Sequence, residues 1–165
     1  MKAVITIPTK NEEKTIAMVI DEIPDEIEGI DEFEVIILDG ASTDNTVEVA
    51  LQAGASEAYV DHVNRGLASA FKTGVNMSLE RGADIIVNTD ADMQYDQTQI
   101  PDLIAPIISG QADMVVGSRF QGSIEDMPIG KRLGNHLATF VTNKLAVQKL
   151  TDAQSGFREI HKELA

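Results

Sequence analysis

Asp90, Asp92 and Asp96 follow directly on the apolar run Ile85-Ile86-Val87, inside the stretch Asp84–Asp96. A β-branched run of this kind suits a buried strand. Asp90 and Asp92 stand two apart at its C-terminal end, and in extended backbone residues i and i+2 point to the same side. Two carboxylates on one side repel each other unless a cation sits between them, and hard oxygen ligands favour Mg²⁺ or Mn²⁺. Asp is also common in turns and at helix caps, so Asp-x-Asp by itself fits a structural role equally well.

The elements that must position these groups alternate along the chain. Ala3–Pro8, Glu34–Leu38, Ala55–Val60, Asp84–Thr89 and Asp113–Ser118 read as strands. Between them lie helical patterns. Ile16, Val19, Ile20 and Ile23 recur at helical spacing, Ser42–Asp44 can cap a helix over Thr46–Ala53, and Arg65–Glu80 carries a stripe from Leu67 to Leu79. Thr98–Ser109 is a helix with Pro101 in its first turn, where Pro is tolerated. Arg132–Leu150 reads as an amphipathic helix, suited to packing on the sheet or to a membrane surface, and Asp152–Arg158 as a Gly-containing turn with little beyond it. Strands alternating with helices predict an α/β fold with a mostly parallel sheet.

Polar groups recur at the strand ends. Pro8, Lys10, Asn11 and Glu12 end the first strand, Asp39-Gly40-Ala41-Ser42-Thr43-Asp44 the second, Asp90, Asp92 and Gln94 the fourth, and Gly117, Ser118 and Arg119 the fifth. In a parallel sheet these gather along one edge, where open α/β sheets bind ligands. Such convergence is harder to explain as turn chemistry than any one motif.

Composition narrows the classes. The 165 residues make one domain, 1–165, and 43% hydrophobic content is enough for a core. The absence of cysteine excludes disulfides, thiolate metal sites and a cysteine nucleophile. The opening Met1–Pro8 is too short an apolar run for a signal peptide, and no run approaches the roughly 18–20 residues of a membrane span, so cytoplasmic residence is expected. A net charge of -14 argues against nucleic acid as a partner. The charge is uneven: residues 131–165 hold six Lys/Arg against three acids, leaving seven against 24 in 1–130. A basic end on an acidic body hints at an anionic partner there, although surface scatter would give the same counts. No G-x-x-x-x-G-K-[ST] and no G-x-G-x-x-G follows the first strand, which argues against a P-loop or a dinucleotide fold. An acidic, metal-dependent site with an arginine nearby suits a pyrophosphate-containing substrate.

The chain resembles the inverting glycosyltransferases of family 2, and within them the dolichyl- or polyprenyl-phosphate mannosyl- and glucosyltransferases. The matching stretches are Ile7–Glu12, Leu38–Thr46, Asn64–Ala70, Asp90–Gln94, Gly117–Arg119 and Asp152–Arg158, in the family's order across nearly the whole chain. The resemblance implies the GT-A fold, with helices on both faces of the sheet, and a nucleotide-sugar donor. Pro8 and Glu12 would line the nucleotide pocket, with Lys10, Ser42 and Arg65 in the same motifs, and Asp39 would hydrogen-bond the base. Asp90, beside Ala91, would contact the nucleotide-sugar or its metal. Asp92 with Gln94 would hold the divalent ion, and Arg119 would steady a phosphate. The Asp152–Arg158 segment would border the acceptor, a polyprenyl (dolichyl) phosphate bound by Arg158 and the basic end, with peripheral contact at the membrane's cytoplasmic face. Asp152 would serve as base if the acceptor were a saccharide hydroxyl, or would only cap a turn. The chain departs from the family at Gly40, where a second aspartate is frequent, at Ala68, where glycine is, and at Lys10, where some members carry an aromatic. It also reads as shortened at its C-terminus, which keeps open a nucleotide-sugar-binding domain without turnover.

Overall fold

The computed structural model describes residues 1–63, 66–118, 139–140, 142–144 and 155–165. In chain order its elements are β1 (Lys2–Thr9), α1 (Ile16–Asp21), β2 (Glu32–Asp39), α2 (Thr46–Gln52), β3 (Glu57–Val60), α3 (Leu67–Glu80), β4 (Ile85–Asn88), a 3-10 turn (Gln97–Gln99), α4 (Ile100–Ile108), β5 (Met114–Val116) and β6 (Arg158–His161). They build one sheet in the order β3-β2-β1-β4-β6-β5. The pairs β1–β2, β1–β4 and β2–β3 are parallel.

Side-chain alternation along the strands decides the two layers. Ile5, Ile7, Val35, Ile37, Ile85 and Val87 share one face with Ile16, Val19 and Ile20 of α1, Ala50 of α2, and Ile100, Ile104 and Ile107 of α4. Val4, Ile36, Leu38 and Ile86 point the other way, against Ala70, Val75 and Met77 of α3. Each fully buried isoleucine contributes roughly 1.5–3 kcal/mol relative to exposure. The mostly parallel sheet with helices on both faces is therefore the observed fold.

Gly74 lets α3 lie close on that second face. A Cβ at this position would stand 2.7 Å from Leu38 Cδ1 and 3.1 Å from Thr6 Cγ2. In Gly74→Ala, the gain of about 1 kcal/mol in helix propensity opposes an overpacking cost of about 1–3 kcal/mol. We expect a net loss of about 1 kcal/mol, read by urea denaturation; a stabilised variant would show that α3 has room to shift.

The C-terminal segment differs from expectation. Arg158 does not end a turn: it opens β6, which runs antiparallel between β4 and β5, pairing Asn88 with Arg158 and Val116 with Arg158 on its two sides. Three of its four residues are charged or titratable, so no apolar pattern announces a central strand. Lys162 fastens its far end, with its backbone N–H donating to the Asp84 carbonyl at 3.0 Å and its Nζ to Asp84 Oδ1 at 2.7 Å. That ammonium holds Asp84 below the usual carboxylate range. The amphipathic helix expected over Arg132–Leu150 lies outside the described residues, apart from helical positions at 139–140 and 142–144.

Candidate functional site

The loops after β1 and β2 are stitched together by short polar side chains. Asn11 N–H donates to Ser42 Oγ at 2.8 Å, and the Ser42 hydroxyl in turn donates to Asp39 Oδ1. Ser42 N–H donates to Asp39 Oδ2 at 2.8 Å. Glu12 N–H donates to Thr46 Oγ1 at 2.8 Å, and the Thr46 hydroxyl donates to Asp44. That hydroxyl is the main reason Asp44 sits below the usual carboxylate range. Asn11 and Ala41 hold left-handed backbone, φ 57° and 59°, a strained choice for non-glycine residues that the network fixes in place. The N-cap residue of α2 is Asn45 rather than one of Ser42–Asp44; the Asp44 carboxylate takes Thr46 N–H at 3.1 Å, while Ser42 buttresses Asp39.

A cavity of about 270 Å³ opens between these loops and the start of α3, lined by Pro8, Lys10, Glu12 and Asp39 among others. Asp39 is only 1% exposed, so its carboxylate is fixed rather than free in solvent. The sequence reading missed Tyr59, Asp61, Leu67 and Thr73, which line the same cavity. Tyr59 and Asp61 close and follow β3, so the strand-end rule used for the other loops would have found them. Leu67 and Thr73 come from α3, whose closeness to the pocket no spacing reveals.

The acidic loop follows β4. That strand ends at Asn88, so Asp90 and Asp92 belong to a loop, and the period-two argument does not place them. Asp90 is partly buried and Ala91 buried, while Asp92 and Gln94 are exposed. Asp92 Oδ1 accepts Gln94 N–H at 3.2 Å, and Met93 between them is left-handed at φ 60°. The carboxylate of Asp90 lies against Gly156, where a Cβ would approach its oxygens to 2.6 and 2.8 Å. Asp96 does not join the pair: it accepts Thr98 N–H at 3.0 Å and caps the turn before α4. Among the described residues no group of three or more His, Cys, Asp or Glu side chains is placed to hold a metal ion.

Arg158 stands at the same edge of the sheet. Its Nε donates to the Ser155 carbonyl at 2.8 Å, and its guanidinium carbon lies 5.9 Å from the centre of the Phe71 ring. Arg65, Arg119 and Asp152 lie outside the described residues. Pro8, Lys10, Glu12 and Asp39 thus share the cavity, and Asp90, Ala91, Asp92 and Gln94 share one loop.

A family model described as Glycosyl transferase family 2 matches residues 4–165. The chain belongs to that family. This glycosyltransferase chain is 32% identical, over 96% of its length, to a UDP-N-acetylglucosamine–dolichyl-phosphate N-acetylglucosaminyltransferase of Methanococcus voltae, and covers 68% of that protein. It is 32% identical to a dolichol-phosphate mannosyltransferase of Pyrococcus furiosus, covering 99% of this chain and 47% of that one. Its fold matches glucosyl-3-phosphoglycerate synthase from Mycobacterium tuberculosis, solved with Mn²⁺, UDP-glucose and glycerol 3-phosphate. There the TM-score is 0.72 and the identity 25%, over 99% of this chain and 57% of that one. The glycosyltransferase chain thus spans about half to two-thirds of the length of these proteins, and the fold is the GT-A nucleotide-sugar transferase fold.

Proposed function

We propose that this glycosyltransferase moves a hexose from a nucleotide-sugar to a polyprenyl (dolichyl) phosphate, with inversion at the anomeric carbon and help from a divalent ion. The observation that carries the reading is the placement, at one sheet edge, of a cavity holding Asp39 beside a loop presenting Asp90 and Asp92. Relatives named for dolichyl- and dolichol-phosphate transfer support the acceptor.

Asp39, an acceptor only, would take an N–H from the base, held in aim by Ser42. The donor set suits Mg²⁺ or Mn²⁺: Asp90, Asp92 and the Gln94 amide are hard oxygen ligands. With only two carboxylates in the loop, substrate oxygens would have to complete the shell, as expected for a diphosphate donor. Such an ion, when bound, supplies positive charge to a departing nucleoside diphosphate. Arg119 would add a fixed charge to the same leaving group. An acceptor phosphate is already ionised near pH 7, so the protein needs to orient it rather than deprotonate it. Arg158 and the basic end would do so, because the guanidinium fork matches phosphate oxygens. Peripheral membrane contact through the basic C-terminal region would bring a lipid-borne acceptor to the site; among the described residues no helix is long and apolar enough to cross a membrane.

A thermal-shift panel of UDP- and GDP-sugars, with and without Mn²⁺, tests the donor. A ligand at a hundred times its Kd stabilises by about 2.7 kcal/mol, or roughly 5–10 °C for a chain of this size. One base should give that shift, larger with Mn²⁺; no shift with either would reject the reading. Product formation with a short polyprenyl phosphate, and none with free sugars, tests the acceptor. The reverse result would assign a saccharide hydroxyl instead, with Asp152 as base.

A further inference from the structure

The backbone of Gly156 is held from two sides by residues that bracket the acidic loop. Asn88, the last residue of β4, donates from Nδ2 to the Gly156 carbonyl at 2.8 Å. Tyr95, just past Gln94, accepts Gly156 N–H on its hydroxyl oxygen at 2.8 Å, and Ser155 Oγ donates to the same oxygen at 3.4 Å. The Tyr95 ring packs on Phe157 at 5.2 Å between centroids. Phe157 is buried, and its carbonyl accepts Gly117 N–H at 2.9 Å. Asn88, Tyr95 and residues 155–157 therefore form one cross-linked unit, with the loop that carries Asp90 and Asp92 strung across it.

Glycine at 156 is not explained by backbone conformation, since it is absent from the left-handed residues of the chain. It is explained by what lies over it. The three atoms nearest a Cβ there would all belong to Asp90: Oδ2 at 2.6 Å, Oδ1 at 2.8 Å and Cγ at 3.0 Å. The carboxylate rests on the bare Cα. A methyl group would be met by the far end of a side chain, which can swing away, so the fold would survive while the carboxylate lost its aim. A misplacement of about 1 Å at a reacting centre can cost on the order of a hundredfold.

We infer that Gly156, locked by Asn88 and Tyr95, is a positioning residue: its missing side chain sets the direction of the Asp90 carboxylate into the donor and metal site. The segment that would border the acceptor thereby also aims a donor-side acid. This inference rests on the function proposed above, in which Asp90 serves the metal-bound donor.

The test is titration calorimetry of UDP and GDP, in Mn²⁺ and in EDTA, on the full chain, together with melting of the unliganded protein. Gly156→Ala should weaken nucleotide binding at least tenfold in Mn²⁺ and leave it unchanged in EDTA, with Tm within about 3 °C of the parent. A residue that merely supported the fold would move Tm and both affinities together. Tyr95→Phe, which removes only the hydroxyl, should weaken the Mn²⁺-dependent affinity about threefold. In the Asp90→Ala background Gly156→Ala should add no further loss, as expected for two residues acting through one contact. Parent-like binding by Gly156→Ala, where Asp90→Ala has lost it, would overturn the inference and leave the proposed function standing. Parent-like binding by Asp90→Ala would overturn both. Should Gly156→Ala fail to fold, an unchanged Mn²⁺-dependent affinity in Tyr95→Phe overturns the inference by itself.

Discussion

Asp92→Ala should abolish Mn²⁺-dependent binding of the nucleotide-sugar while leaving the protein folded. The side chain is exposed, and its Oδ1 accepts Gln94 N–H at 3.2 Å across a short turn. Truncation therefore removes little that stabilises the fold, within about 0.5 kcal/mol. Its effect on the ligand should be far larger. Among the described residues no third acid converges on the loop, so losing one of two carboxylates halves the protein's charge on the ion. A hundredfold loss corresponds to about 2.7 kcal/mol. Calorimetry with Mn²⁺ and the donor that wins the thermal-shift panel reads this directly. Normal affinity in Asp92→Ala would remove Asp92 from the metal site and leave Asp90 alone to explain any metal effect.

Glu159 should make stability fall as pH rises. It sits in β6 between Val87 of β4 and Val115 of β5, on the face shared with Phe157 and the main core. It is 0% exposed, and neither carboxylate oxygen has a hydrogen-bond partner among the described residues. Burial disfavours the charged form and pushes its carboxyl up to about 8 from an ordinary 4.5. Between those values the folded chain keeps the proton and the unfolded chain releases it. The stabilisation is thus fully present below the ordinary carboxyl value and is lost as pH climbs through about 8. The loss is on the order of 5 kcal/mol at 1.36 kcal/mol per unit, a large share of a typical 5–15 kcal/mol. Urea denaturation from pH 5 to 9 should show it, and Glu159→Gln, which has no proton to lose, should flatten the curve. Parallel curves for the two proteins would mean that a cation meets this carboxyl. The acid limb has a separate origin. Asp44, Asp84 and Asp96 are held low by Thr46, Lys162 and Thr98 respectively, and their contribution is lost as pH falls through their lowered values.

Much of the architecture was legible because it is local. Ile85-Ile86-Val87 reads as a buried strand from its β-branched residues, and the helical spacing of Ile16, Val19 and Ile20 gives α1 the face it buries. Parallel strands joined by helices bring their carboxyl ends to one edge, so the loops bearing Lys10, Asp39 and Asp90 could be grouped from the order of elements alone. Pairing across the chain could not be read this way. β6 reads Arg158-Glu159-Ile160-His161, a single apolar residue among polar ones, which fits an exposed turn as well as a strand, and Glu159 counted merely as one more acid of a basic tail. Only its position between β4 and β5 made it a buried neutral carboxyl. The seating of Asp90 on Gly156 likewise depends on a side chain meeting a backbone far away in sequence. A residue's type states what chemistry it can do, and spacing states which way a regular element points it. Burial and close approach depend on every neighbour at once, and those neighbours are chosen by the fold.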